Sequence, residues 1–131
     1  MIAVDSNIVV RFLVRDSESQ YGKAESLFLN QHLIVPVTVV LECEWVLRRV
    51  YAKPKMEILA SFDKLLAMTN VEFGEQDAVS QAILWCREGL DFADALHLAL
   101  SRPVEVLHTF DRAFASAAAK LNPPIAVRLE S

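Results

Sequence analysis

Two aspartates stand three residues apart in GLDFADALHLAL, Gly89 to Leu100, where an apolar helix should begin. At that spacing Asp91 and Asp94 share one helix face, while Phe92, Ala95, Leu96 and Ala99 take the other. One acid is enough to cap a helix start. The second asks for something cationic opposite it, and the segment contains no lysine or arginine. A bound divalent ion would answer both carboxylates, because hard cations prefer oxygen ligands.

Three further acids fall at telling places. Asp5 closes the apolar run IAV, Asp111 closes VLHTF, and each is followed by a helical pattern. Glu42 lies within TVVLECEWVL, beside Val39, Cys43 and Val46 on a helical wheel, at the edge of the buried stripe; Glu44 points away, toward Leu41 and Arg48. Each acid also has a plainer use. Asp5, Asp91 and Asp111 suit helix N-caps, and Glu42 suits a boundary position with its carboxylate in water. Four carboxylates converging without cations would repel and raise some pKa values; Mg²⁺, or Mn²⁺ in its place, relieves that. His97 continues the stripe of Asp91 and Asp94 but lies further round, as a surface or supporting histidine.

These acids need elements to carry them. Apolar strands are expected at 2–5, 32–36, 71–73, 104–110 and 125–129. Between them, helical spacing covers 6–16, Tyr21–Asn30, Met56–Met68, Asp77–Glu88, the segment opened by Asp91, and Asp111–Lys120. A further long helix, capped by Thr38 and reaching about Tyr51, should bury Val39, Cys43, Val46 or Leu47, and Val50. Gly89 ends the helix before it. Strands alternating with helices imply a parallel sheet covered on both faces, a three-layer α/β/α sandwich. In such sheets ligands sit beyond the carboxyl ends of strands, where strand order reverses. Asp5 and Asp111 face each other there if strands one and four are neighbours.

The chain has 131 residues, 53% of them apolar, and a formal net charge of −4. That fits one compact domain over 1–131 and excludes disordered and low-complexity classes. No apolar run approaches the roughly 20 residues of a membrane span, and no signal peptide is evident. Cys43 and Cys86 read as small core residues of a reduced, cytoplasmic protein. The acidic balance hides Arg11 and Arg15 near one end and the run Arg48, Arg49, Lys53, Lys55. These are either solvated helix ends or a rim that contacts phosphates.

Taken in order, IAVDSN, VTVVLECEWVL, DFADALHLAL and HTFDRAF resemble the PIN-domain ribonucleases, and specifically the VapC toxins of VapBC toxin–antitoxin pairs, across essentially the whole chain. The resemblance implies one five-stranded parallel sheet of order 3-2-1-4-5. It implies a metal-binding, catalytic cluster of Asp5, Glu42, Asp94 and Asp111, with Asp91 in support and Asn7 and Thr109 bracing it by hydrogen bonds. Serine stands at position 6, where the family often has threonine, and keeps the hydroxyl. The implied activity is Mg²⁺- or Mn²⁺-dependent hydrolysis of RNA phosphodiesters as the toxin of a type II pair. Asp5 and Asp94 would be main ligands; Glu42 and Asp111 would complete the shell, hold a second ion or position water. Arg11, Arg15 and Arg48 are candidate contacts to the RNA strand. A VapB-like antitoxin is the implied partner, docking on an apolar side for which Phe12, Leu13, Phe28 and Trp45 are candidates, although spacing alone favours plain core for at least half of them. A homodimer and higher complexes with antitoxin are also implied.

Two rivals are distinguishable. A receiver-type signalling domain needs an acid ending a middle strand, but the second strand ends in Val35 and Pro36. A non-catalytic module would use its acids to attract a basic partner and bind no metal. A nucleotide-binding fold is disfavoured, since no glycine-rich loop is present to cradle phosphates.

Overall fold

Leu33, Ile34 and Val35 form the shortest stretch that must be a strand: branched residues flanked by polar His32 and by Pro36, which cannot donate to a ladder. In the computed structural model, which describes residues Met1–Ser131, they form β2 (Leu33–Val35). β2 pairs in parallel with β1 (Ile2–Ala3) through Ile2↔Leu33 and Ala3↔Ile34, and with β3 (Val71–Phe73) through Leu33↔Val71 to Val35↔Phe73. Parallel neighbours need crossover connections. These are supplied by α1 (Ser6–Leu13) and α2 (Glu18–Asn30), then by α3 (Val37–Arg49) and α4 (Lys55–Ala67).

These elements make one of two compact units, Met1–Gln76. Its core includes Val9, Val10, Phe28, Leu33, Val40, Cys43, Leu47, Leu59 and Phe62, all at most 3% exposed. Each fully buried Phe or Leu of this kind contributes about 1.5–3 kcal/mol. α1 packs on α2 and α3, α3 on α4, and α4 on β3. Gly74 hydrogen-bonds to the Val35 carbonyl at 2.9 Å, and a Cβ there would approach the Val37 nitrogen to 3.2 Å, so β3 can end close beside the start of α3.

The second unit is Asp77–Ser131. It holds α5 (Gln76–Arg87), α6 (Phe92–Leu100), β4 (Val106–Thr109), α7 (Arg112–Leu121) and β5 (Ala126–Leu129). β4 and β5 are parallel, in register from Val106↔Ala126 to Thr109↔Leu129, and α7 is the crossover between them. Gly89 has φ +124°, a backbone that stops α5 as expected.

All five expected strands and all seven helices are present. Hydrogen bonding joins the strands as β1-β2-β3 and as β4-β5, giving an α/β protein with a three-stranded and a two-stranded parallel sheet. No helix is long and apolar enough to cross a membrane.

Two local expectations need correction. Thr38 does not cap α3; the helix starts at Val37 with Pro36 before it, and no side chain bonds the freed amides. Proline's fixed φ suits a helix entrance, so no hydroxyl is required. The buried stripe of α3 is Val40, Cys43, Glu44 and Leu47, whereas Val50 is 64% exposed. The stripe is rotated toward Glu44 because Arg48, one turn on, neutralises that carboxylate at 2.7 Å and 3.3 Å.

Candidate metal centre

Asp5 leaves β1 and caps α1. One of its oxygens, Oδ1, accepts from the Ile8 amide at 3.4 Å. The next residue, Ser6, donates its hydroxyl to Glu42 Oε1 at 2.5 Å, tying the start of α1 to the middle of α3. Glu42 is thus tied to the residue that follows Asp5, and both acids are solvent-exposed. Their joint field is felt by Cys43, whose thiol is pushed up to about 12, first by burial and then by the charges of Glu42 and Asp5. That cysteine is a packed, unreactive thiol whose sulfur approaches the Ser6 carbonyl at 4.0 Å.

The second unit builds a matching arrangement. Asp91 caps α6, with Oδ2 accepting from the Asp94 amide at 3.2 Å. Asp94 lies one turn in, partly buried. Its carboxyl is raised above the usual range, first by desolvation, then by the charges of Asp91 and Asp111, against a smaller opposite pull from His97. Asp111 caps α7, accepting from the Phe114 amide at 3.0 Å, and its own amide donates to Thr109 Oγ1 at 3.0 Å. The plain role of Asp5, Asp91 and Asp111 as N-caps is thus real. It engages one oxygen of each and leaves the other available.

None of these five acids forms an ion pair with a lysine or arginine, although six other acids pair with cationic or histidine side chains. Within neither unit do three ligand-type side chains close into a preformed cage. The acids of each unit instead offer carboxylate oxygens with no lysine or arginine against them, and Asp94 is held up first by desolvation and then by Asp91 and Asp111. That donor set fits a hard divalent cation rather than zinc or copper.

Of the expected braces, Thr109 accepts the Asp111 amide through its hydroxyl, and a further brace comes from Ser6, whose hydroxyl holds Glu42. Asn7 lines a cavity between α1 and α2. The signal for Ser6 was present in the preserved hydroxyl of the first motif. Arg11 is held by Gln20, by Tyr51 Oη at 2.6 Å and by Asp16 at 3.6 Å. Arg15 pairs with Glu18 at 3.4 Å and lies 4.3 Å over the Tyr21 ring, and Arg48 holds Glu44. Among the apolar docking candidates, Phe28 is fully buried and is core, stacked on Phe12 at 4.1 Å. Trp45 is 52% exposed.

Parallel strands that run out into acid-capped helices define the class, an α/β protein with carboxylates at its strand ends. A model of the PIN domain matches residues 2–120, running through both units, and the chain belongs to the PIN-domain family. That family is one of nucleases acting on RNA, which generally use divalent metals. No curated protein matches the chain significantly. Two solved structures are similar to it. One is VapC20 of Mycobacterium tuberculosis, a sarcin-ricin loop cleaving toxin, at 21% identity over 89% of this chain and 95% of that one, with TM-score 0.46. The other is VapBC2 from Rickettsia felis bound to a DNA fragment from its promoter, at 18% identity over 98% of each chain, with TM-score 0.40.

Proposed function

We propose that this chain is a divalent-metal-dependent endoribonuclease, the VapC-type toxin of a type II toxin–antitoxin pair. The observation that carries the reading is that Asp5, Glu42, Asp91, Asp94 and Asp111 stand without a lysine or arginine partner in a chain of the PIN family. In this reading the strands form one sheet of order 3-2-1-4-5 within a single domain, and Asp5, Glu42, Asp94 and Asp111 serve one centre.

Asp5 and Asp94 would hold Mg²⁺, or Mn²⁺ in its place, with Glu42 and Asp111 completing the donor set and Asp91 in support. Held there, such an ion would supply a water of lowered pKa and polarisation of the phosphoryl oxygen. The chain's own residues do the positioning. Ser6 fixes Glu42 by holding Oε1, which directs the other oxygen outward. The cap bonds to Ile8 and Phe114 fix Asp5 and Asp111 in the same way. Asp91 holds the first turn of α6 and so the rotamer origin of Asp94. Asp94, its carboxyl raised in the metal-free protein by desolvation and then by Asp91 and Asp111, is the acid whose charge a bound cation would relieve most. Arg11, Arg15 and Arg48 would support the strand at the rim, and the uncompensated acids would receive a basic side chain of a VapB-like antitoxin when the toxin is silenced. Homodimerisation and larger antitoxin complexes belong to the same reading, as does action in the cytoplasm.

The test is cleavage of total RNA in Mn²⁺ by wild type, Asp5→Asn and Asp94→Asn, each verified as folded. Wild type should cleave and each variant should lose on the order of 10²-fold or more in rate. Wild-type activity in either variant would remove that residue from the centre.

A further inference from the structure

A cavity of about 460 Å³ opens between α1 and α2, within the first unit. Its walls are Asn7, Ile8 and Arg11 from α1 and Gln20, Lys23 and Ala24 from α2. The chemistry of the lining is specific: two cations, two carboxamides and two small apolar faces, with no acid among them. We propose that this cavity is a nucleotide subsite, taking one phosphodiester-linked nucleotide of a single-stranded RNA beside the cleavage position. The proposal rests on the ribonuclease reading and adds to it a seat for the strand and the residues that build it.

Arg11 is the fixed part. Its guanidinium is held by the Gln20 carboxamide, Tyr51 Oη at 2.6 Å and Asp16 at 3.6 Å, and Tyr51 Oη in turn donates to Asp16 Oδ2 at 2.9 Å. The Nε and Nη1 groups are engaged, which leaves the Nη2 hydrogens to an incoming acceptor. A guanidinium already locked loses little further freedom when it binds phosphate. Asp16 offsets one positive charge. Lys23, exposed and without an ion pair, leaves the wall with a surplus positive charge in a chain whose net charge is −4. That is the charge pattern a phosphate requires.

The remaining walls suit the rest of a nucleotide. Ile8, half-buried at the cavity wall, presents apolar surface for a base or ribose, with the buried Ala24 behind it. Asn7 offers a carboxamide with both donor and acceptor, the kind of group that reads a base edge. Position also fits. Asp5 caps α1, so Asn7 begins the cavity within the first turn after the acid, and Arg11 lies roughly 6 Å beyond Asn7 along the helix axis. A strand entering the acids from this side would cross the cavity next.

The experiment uses the full chain and two probes. A 5′-fluorescein-labelled single-stranded RNA 20-mer of random sequence reports binding by anisotropy, and total RNA in Mn²⁺ reports cleavage. Lys23→Ala should weaken anisotropy binding and raise KM by roughly three- to tenfold, leave kcat and Mn²⁺ affinity as in wild type, and lower the salt slope of binding by about 1. Lys23→Arg should restore binding. Unchanged binding in Lys23→Ala and in Lys23→Glu overturns the subsite, as does a fall in Mn²⁺ affinity, which would assign Lys23 to the metal centre. If wild type cleaves nothing, the ribonuclease reading fails, while the anisotropy series still decides whether the cavity holds RNA.

Discussion

Asp94 carries the clearest physical signature of the acids. Its carboxyl is raised by desolvation and by Asp91 and Asp111, so ionising it costs folding stability in the metal-free protein. The cost is absent below the ordinary aspartate pKa of about 4, sets in as pH rises, and is complete above the raised folded value. Asp94→Asn should therefore melt a few degrees higher than wild type at pH 7 in chelator, with the difference vanishing at acidic pH. Thermal melts at both pH values measure it; a variant less stable than wild type at pH 7 would mean that the carboxylate is a structural asset. The five acids themselves were legible in the sequence, because each sits at a strand end or a helix start where a cap is useful and a second function is open. Ser6 was only half legible. Its hydroxyl was noticed as kept, but which carboxylate it holds depends on how α1 meets α3, a contact across 36 residues.

At the scale of elements, α3 shows where periodicity runs out. Apolar residues at 37, 39, 40 and 41 allow more than one helical stripe, so spacing favoured Val39 and Val46 and put Glu44 outside. Glu44 is instead 7% exposed, and the ion pair with Arg48 makes its burial tolerable. Breaking such a pair from the charged partner's side strands a carboxylate. Arg48→Ala should cost about 1–3 kcal/mol by urea unfolding, and adding Glu44→Gln to it should recover part of the loss. An effect within error in Arg48→Ala would return that arginine to the surface role first assigned to it. β3 lies where expected, at Val71–Phe73, but other strands are shorter than their apolar runs: the expected 104–110 is Val106–Thr109 and the expected 2–5 is Ile2–Ala3. Flanking residues share the apolar character of the strand without its pairing partners, which sequence alone does not supply. Among the docking candidates, Phe28 is wholly internal and Trp45 is exposed, a split that helical spacing allows but cannot assign residue by residue.

For the whole molecule, the family match across residues 2–120 makes both units parts of one kind of protein, and the functional claim is that acids from both answer to a single ion. Asp5 belongs to the first unit and Asp94 to the second. Two independent sites would let either substitution spare the other, whereas one shared centre makes the two losses equivalent. Calorimetric titration of the metal-free chain with Mn²⁺, run on wild type, Asp5→Asn and Asp94→Asn, separates these cases directly. The predicted result is saturable binding by wild type and a loss of about tenfold or more in affinity in each variant. A flat wild-type trace, or wild-type affinity in either variant, would contradict it.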